Sequence, residues 1–251
     1  ISRRVTHSIY LALAVACCPC ILWADQVDVY SRPRQYERSS DYDVLHYRIK
    51  LSFDESTHSF RGETRITLRP LRDEFDSCTL DAETFKVTEV LDENAAELGF
   101  DQYAGKLTVR LPRPYEYHEE LSFTVVYHAD NVAVVPEKYG MNRGYDLGLS
   151  FKPASEDHPR LINTLSFPTG TRHWFPCYDH PNDKATAEVI ATVDAEYQVI
   201  SNGRLVSVTE DPIKKEKTFH WSQELPHSTY LFVLVAGPYV KLTDSLGSLS
   251  I

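Results

Sequence analysis

The chain has 251 residues, with 36 acidic against 26 basic side chains and a formal charge of −10. That balance argues against nucleic acid as a partner, because its phosphates would be repelled. The 14 prolines and 12% aromatic content leave enough apolar material for one large, strand-rich domain.

Arg3 and Arg4 precede an apolar run over residues 9–16, which continues past Pro19 to Trp23-Ala24. A basic start, a short apolar stretch and a small residue predict a secretory signal over residues 1–24, and hence an exported protein, periplasmic or extracellular. The run is too short and too interrupted for a comfortable membrane span. Ala14-Val15-Ala16-Cys17 loosely resembles a lipoprotein processing site, so membrane attachment would arise only through a lipid on Cys17. Removing this segment takes the charge from −10 to −12 and leaves Cys78 and Cys177, too few for a disulfide framework. Ile1 at the start and the abrupt stop at Ile251 suggest a piece of a longer protein.

Residues 25–40 are polar and read as a lead-in. From Tyr42 the pattern turns to period two, which marks half-buried strands. Tyr47, Ile49, Leu51 and Phe53 alternate with Arg48, Lys50 and Ser52; Ile66 and Leu68 face inward in the next run. Leu107, Val109 and Leu111 form another strand, and Leu121, Phe123, Val125 and Tyr127 one more. Farther on, Ala187, Val189, Ala191 and Val193 alternate with Glu188, Ile190 and Thr192. Asn202-Gly203 between two apolar runs predicts a two-residue hairpin with a type I′ turn. Strands follow over 217–222 and 230–235, the last nearly all apolar and therefore central. No long amphipathic helix is expected after residue 24, and the fold class is all-β, a sandwich or barrel-like sheet.

Candidate chemistry is sparse. His118-Glu119-Glu120-Leu121-Ser122 begins like HExxH, but Ser122 replaces the second histidine and the segment reads as a turn entering a strand. His173 and His180 flank Cys177 and Asp179, yet Pro176 and Pro181 leave their convergence unspecified, and no metal site is assigned. His220 and His227 read as solvated. No Gly-x-Ser-x-Gly elbow and no phosphate-cradling glycine loop exists.

The richest segment is Arg172-His173-Trp174-Phe175-Pro176-Cys177-Tyr178-Asp179-His180-Pro181, continuing through Asn182-Asp183 to Thr186. Its prolines pin the backbone in a shaped connection. This segment resembles the characteristic stretch of the aminopeptidase N family of zinc metallopeptidases, in its bacterial form. Tyr42-Asp43-Val44-Leu45-His46-Tyr47, Phe60-Arg61-Gly62 at the next turn, Ile200-Ser201-Asn202-Gly203-Arg204-Leu205 and Tyr230-Leu231-Phe232 through Gly237-Pro238-Tyr239 are similar to other family segments, in the same order.

The resemblance implies a saddle-shaped N-terminal β-domain over residues 41–245, with 246–251 beginning a further domain. It implies a substrate-capping role in an aminopeptidase that removes N-terminal residues from peptides. The zinc and its ligands would then belong to a catalytic domain that this chain contacts but does not contain, leaving the fragment itself inactive, with neither catalytic residue nor metal. Five residues before Arg172, where the family places a glutamate or glutamine for the substrate's α-amine, stands Phe167, within Leu165-Ser166-Phe167-Pro168-Thr169-Gly170. A phenyl ring accepts no hydrogen bond but offers its face to an ammonium group. Arg172 and Asp179 are expected to organise the segment, and Trp174 and Phe175 to anchor it in the core. Two other readings compete: a scaffold that keeps the β-domain without peptidase chemistry, and a carbohydrate-binding module using Tyr103, Tyr115 and Tyr117.

Overall fold

The computed structural model describes residues 41–132, 147–156, 159–242, 244–247 and 249–250. The expectations for residues 1–40, including the signal and Cys17, lie outside them.

Alternation of apolar and polar residues builds nearly every element. In chain order the strands are β1 (Tyr42–Asp54), β2 (Ser59–Pro70), β3 (Phe75–Asp81), β4 (Lys86–Leu91), β5 (Phe100–Tyr103), β6 (Lys106–Tyr115) and β7 (Leu121–Ala129). They continue with β8 (Gly148–Lys152), β9 (Leu161–Leu165), β10 (Ala185–Asp194), β11 (Gln198–Ser201), β12 (Arg204–Asp211), β13 (Glu216–His227) and β14 (Leu234–Gly237). A two-residue ladder, β15 (Ser245–Leu246) with β16 (Leu249–Ser250), follows. The only helical elements among the described residues are 3₁₀ turns at Thr171–His173 and Thr229–Leu231, so the all-β expectation holds.

Seven strands form the largest sheet, in the order β12-β13-β10-β1-β2-β7-β4. Its middle is the parallel pair β1–β10, and its other neighbours are antiparallel. Tyr47, Ile49 and Leu51 point inward from β1 at 0–3% exposure, opposite Ile66 and Gly62 of β2. Each such side chain stabilises the fold by roughly 1.5–3 kcal/mol. A four-stranded sheet, β11-β14-β9-β8, and a three-stranded one, β3-β6-β5, supply further core residues such as Leu234, Ile162, Leu80 and Val109.

Three local expectations are corrected. Phe60-Arg61-Gly62 lies inside β2 instead of at a turn. A Cβ on Gly62 would fall 2.1 Å from the Tyr127 ring, so the glycine makes room for a buried tyrosine whose hydroxyl meets Thr64 Oγ1 at 3.0 Å. Asn202-Gly203 does not close a hairpin: β11 pairs with β14, β12 pairs with β13, and the dipeptide carries the chain from one sheet to the other. Gly203 takes φ of +83°, while Asn202 keeps a negative φ and uses its side-chain amide to donate to Leu231 O (3.0 Å) and accept from Val233 N (2.8 Å). Those long-range bonds displace the local turn preference. The expected strand over 230–235 begins only at Leu234, because Thr229–Leu231 forms the 3₁₀ turn; β14 is nonetheless an interior strand.

The histidines of β13 are not solvated. His220 Nε2 lies 2.7 Å from Glu188 Oε2. The His227 ring tilts against Phe232 at 4.4 Å, and its buried Nε2 has no hydrogen-bond partner among the described residues. Burial pulls the His227 imidazole below its ordinary value.

Candidate functional site

The segment from Thr171 to Asp183 passes through the middle of the core. Trp174 and Phe175 are both fully buried, as expected. Trp174 Nε1 donates to Ser166 Oγ (3.1 Å), which itself donates to Phe232 O (2.9 Å). Phe175 stacks on Phe232 at 5.6 Å and meets the edge of Tyr47 at 5.4 Å. Tyr47 also accepts a hydrogen bond from Tyr178 N at 3.0 Å, tying the segment to the central strand. Cys177 is buried and exchanges two backbone hydrogen bonds with Asp81 of β3, at 2.7 and 3.1 Å.

Around this apolar frame lies a buried ionic network. Arg172 Nε donates to Asp179 Oδ2 (2.9 Å) and its Nη2 to Asp179 O (3.2 Å), while Nη1 stands 3.5 Å from Asp81 Oδ1. Asp81 and Asp179 are at most 2% exposed. Asp179 N donates to Asp81 Oδ2 (3.0 Å), Thr229 Oγ1 donates to Asp179 Oδ1 (3.1 Å), and Lys106 Nζ pairs with Asp81 Oδ1. Burying a carboxylate is tolerable only with such partners. Burial works against the Arg172 charge, but Asp179 and Asp81 outweigh it and raise its pKa. Arg172 and Asp179 thus tie the two ends of the segment together, as expected. Asp81, Lys106 and Thr229 carried no signal in the sequence; they join only because β3, β6 and a 3₁₀ turn meet here.

Asp183, at 9% exposure, hydrogen-bonds the Asp43 carboxyl, which accepts from Arg69 Nε at 2.9 Å. Burial first, then the charge of Asp43, push the Asp183 carboxyl up to about 7. His173 is half-buried with Nε2 3.4 Å from Glu83, and burial lowers its pKa. Its Nδ1 is buried without a partner among the described residues. His180 instead bonds Asn182 at the surface. Among the described residues no three His, Cys, Asp or Glu side chains converge as metal ligands.

Phe167 stands apart from this buried assembly. Its ring is 65% exposed and meets Tyr230 edge to face at 5.8 Å, beside Leu231 at 49% exposure. The Phe167-Pro168 peptide is cis. The three tyrosines proposed as a sugar platform are divided: Tyr103 lies before β6, Tyr115 at its far end under Arg113 (4.0 Å), and Tyr117 beyond, stacked on His118 (3.9 Å). A ten-residue strand separates them by roughly 30 Å. His118 sits in the turn before β7, with φ of +63°.

An all-β domain of three larger sheets and a short two-stranded ladder, threaded by an aromatic and ionic connection, defines the class of protein. The model of the peptidase M1 N-terminal domain matches residues 43–231, and the chain belongs to that family. An M1 zinc metallopeptidase from Deinococcus radiodurans superposes with a TM-score of 0.67 at 26% identity, covering 84% of this chain and 46% of that one. A probable aminopeptidase 2 of Sulfurisphaera tokodaii is 38% identical over 99 residues, 39% of this chain and 12% of the relative. Transcription initiation factor TFIID subunit 2 of Gallus gallus is 35% identical over 83 residues, 33% of this chain and 7% of that protein. The chain thus spans under half of the solved structure and a small fraction of these two relatives.

Proposed function

We propose that the complete protein is an exported zinc aminopeptidase and that this chain is the domain preceding its catalytic centre, covering bound peptide. The match along residues 43–231 carries this reading, together with the peptidase named in the solved neighbour. The 251 residues hold no HExxH, so the zinc and the glutamate that activates water would come from sequence outside this chain. Export rests on Arg3, Arg4 and the apolar run that follows, with Cys17 as the one lipid attachment point considered.

Phe167 is the residue of this domain assigned to the substrate's amino end. An exposed ring propped on Tyr230 offers a face to an ammonium group, worth about 0.5–2 kcal/mol, where a carboxylate would form an ion pair. Phe167→Glu in the complete protein should lower KM for substrates with a free α-amine while leaving N-blocked ones untouched.

The test of the main reading is hydrolysis of an aminoacyl reporter by the complete protein, abolished by a zinc chelator and restored by zinc. A complete gene without HExxH and a downstream glutamate ligand would overturn it. The second reading, a scaffold without peptidase chemistry, draws on the likeness to a transcription initiation factor subunit; it predicts folded full-length protein with no chelator-sensitive hydrolysis.

A further inference from the structure

The outward face of the seven-stranded sheet carries a pattern that the buried segment does not account for. One transverse row of cross-strand neighbours runs over all its strands. From β12 to β1 it presents hydroxyls: Thr209, Thr218, Thr192 and Ser52. From β2 to β4 it presents basic groups: Arg61, His128 and Lys86. In a chain with 36 acidic side chains, this row contains no carboxylate.

A cavity of about 400 Å³ opens over the middle of the row, with Ser52, Arg61, His128 and Thr192 on its walls and Val126 and Ile190 as apolar flanks. The cavity's one carboxylate, Glu63, is already paired with Lys50. His128 faces Asp130 at 3.4 Å. Elsewhere on this face Arg69 pairs with Asp43 and Arg48 with Glu188, while Arg65 donates to the Ser122 hydroxyl. The exposed Arg61 guanidinium has no ion-pair or hydrogen-bond partner among the described residues. An exposed arginine is ordinary; one rimming a cavity beside the Ser52 hydroxyl and the apolar Val126 is a recognition arrangement.

We propose that this cavity binds a small monocarboxylate with an apolar body. The carboxylate would take the two-pronged fork of Arg61 and the hydroxyl of Ser52, its direct cross-strand neighbour, and the body would rest on Val126 one strand beyond. One uncompensated cation calls for one negative charge. Two positions along the same strands lie Asp54, Asp130 and Asp194, all exposed, which repel multiply charged anions and set this ligand apart from phosphate.

N-acetylleucine is a suitable probe, titrated into the intact chain at pH 7 with amide chemical shifts as readout. Millimolar binding is expected, with shifts centred on Ser52, Arg61, Val126 and Thr192. Arg61→Gln and, separately, replacement of the probe by N-acetylleucinamide should each weaken binding about tenfold, the scale of one charge-assisted contact. Arg61→Lys should retain part of the affinity, and inorganic phosphate should bind more weakly than the probe. No shifts at about 50 mM probe, equal binding of acid and amide, unchanged affinity in a folded Arg61→Gln protein, or tighter binding of phosphate would each overturn the proposal.

Discussion

The segment from Thr171 to Asp183 and the β12–β13 ribbon invert the usual relation between regularity and burial. The segment is irregular and charged, yet Arg172 reaches inward to two carboxylates that are all but sealed from solvent. The ribbon is regular and partly apolar, yet Leu205, Val206 and Val208 remain 43–44% exposed and Ile213 at its tip 94%. An edge strand such as β12 needs ladder bonds on one side only, because water serves its outer N–H and C=O groups. Buried charge, by contrast, persists only where distant elements bring partners. A crowded, functional-looking stretch can therefore be structural, and a plain strand can be the accessible surface.

The sharpest way to break this contrast is Trp174→Ala. Loss of a fully buried indole and its bond to Ser166 should cost about 3–5 kcal/mol in denaturant unfolding. A cost below 1 kcal/mol would mean the segment is not the core element described. Next comes Asp179→Ala, which leaves Arg172 with a weakened set of partners and should cost about 3 kcal/mol. If the network were peripheral, the loss would fall within the range of surface ion pairs, about 0–1 kcal/mol.

Asp183 sharpens the contrast through pH. Its folded-state carboxyl is raised from 3.8 to about 7, so between those values the folded chain holds a proton that the unfolded chain has released. Stability from this group is therefore full below pH 4, falls as pH rises, and is gone above about 7. Relative to the parent, Asp183→Asn should gain stability progressively over that window, by roughly 2–4 kcal/mol at pH 8. A flat difference between pH 4 and 8 would show that the Asp183 carboxyl is not raised in the folded chain. The smallest effect belongs to the ribbon: Ile213→Ser should change stability by no more than about 0.5 kcal/mol. A larger loss would show that the tip is covered in the intact protein.

Much of the fold was legible because period-two alternation is a local property. Tyr47, Ile49 and Leu51, or Val189, Ala191 and Val193, announce a buried face wherever they sit in a sheet. Strands such as β3, β5, β8 and β9 carry little local signal, since Phe100–Tyr103 and Leu161–Leu165 are too short for a sustained alternation. Asn202-Gly203 misled for a related reason: a turn propensity worth a fraction of a kcal/mol gave way to two side-chain hydrogen bonds with the Leu231–Val233 backbone. Of the candidate site, Trp174, Phe175, Arg172 and Asp179 were identifiable from one segment. Asp81, Lys106, Thr229 and Asp43 were not, because their roles are relations between strands that lie far apart along the chain.

By itself, then, the sequence determined the all-β class, the inward face of the main strands and the family to which residues 43–231 belong. Those properties reside in short-range patterns and ordered motifs. Only the tertiary structure decided that Trp174 to Asp179 of the segment are buried, that Phe167 stands in solvent, and that Arg61 faces a cavity. The physical reason is that desolvation, not composition, sets what a charged or aromatic side chain can do. Desolvation depends on which distant strands the sheets bring alongside.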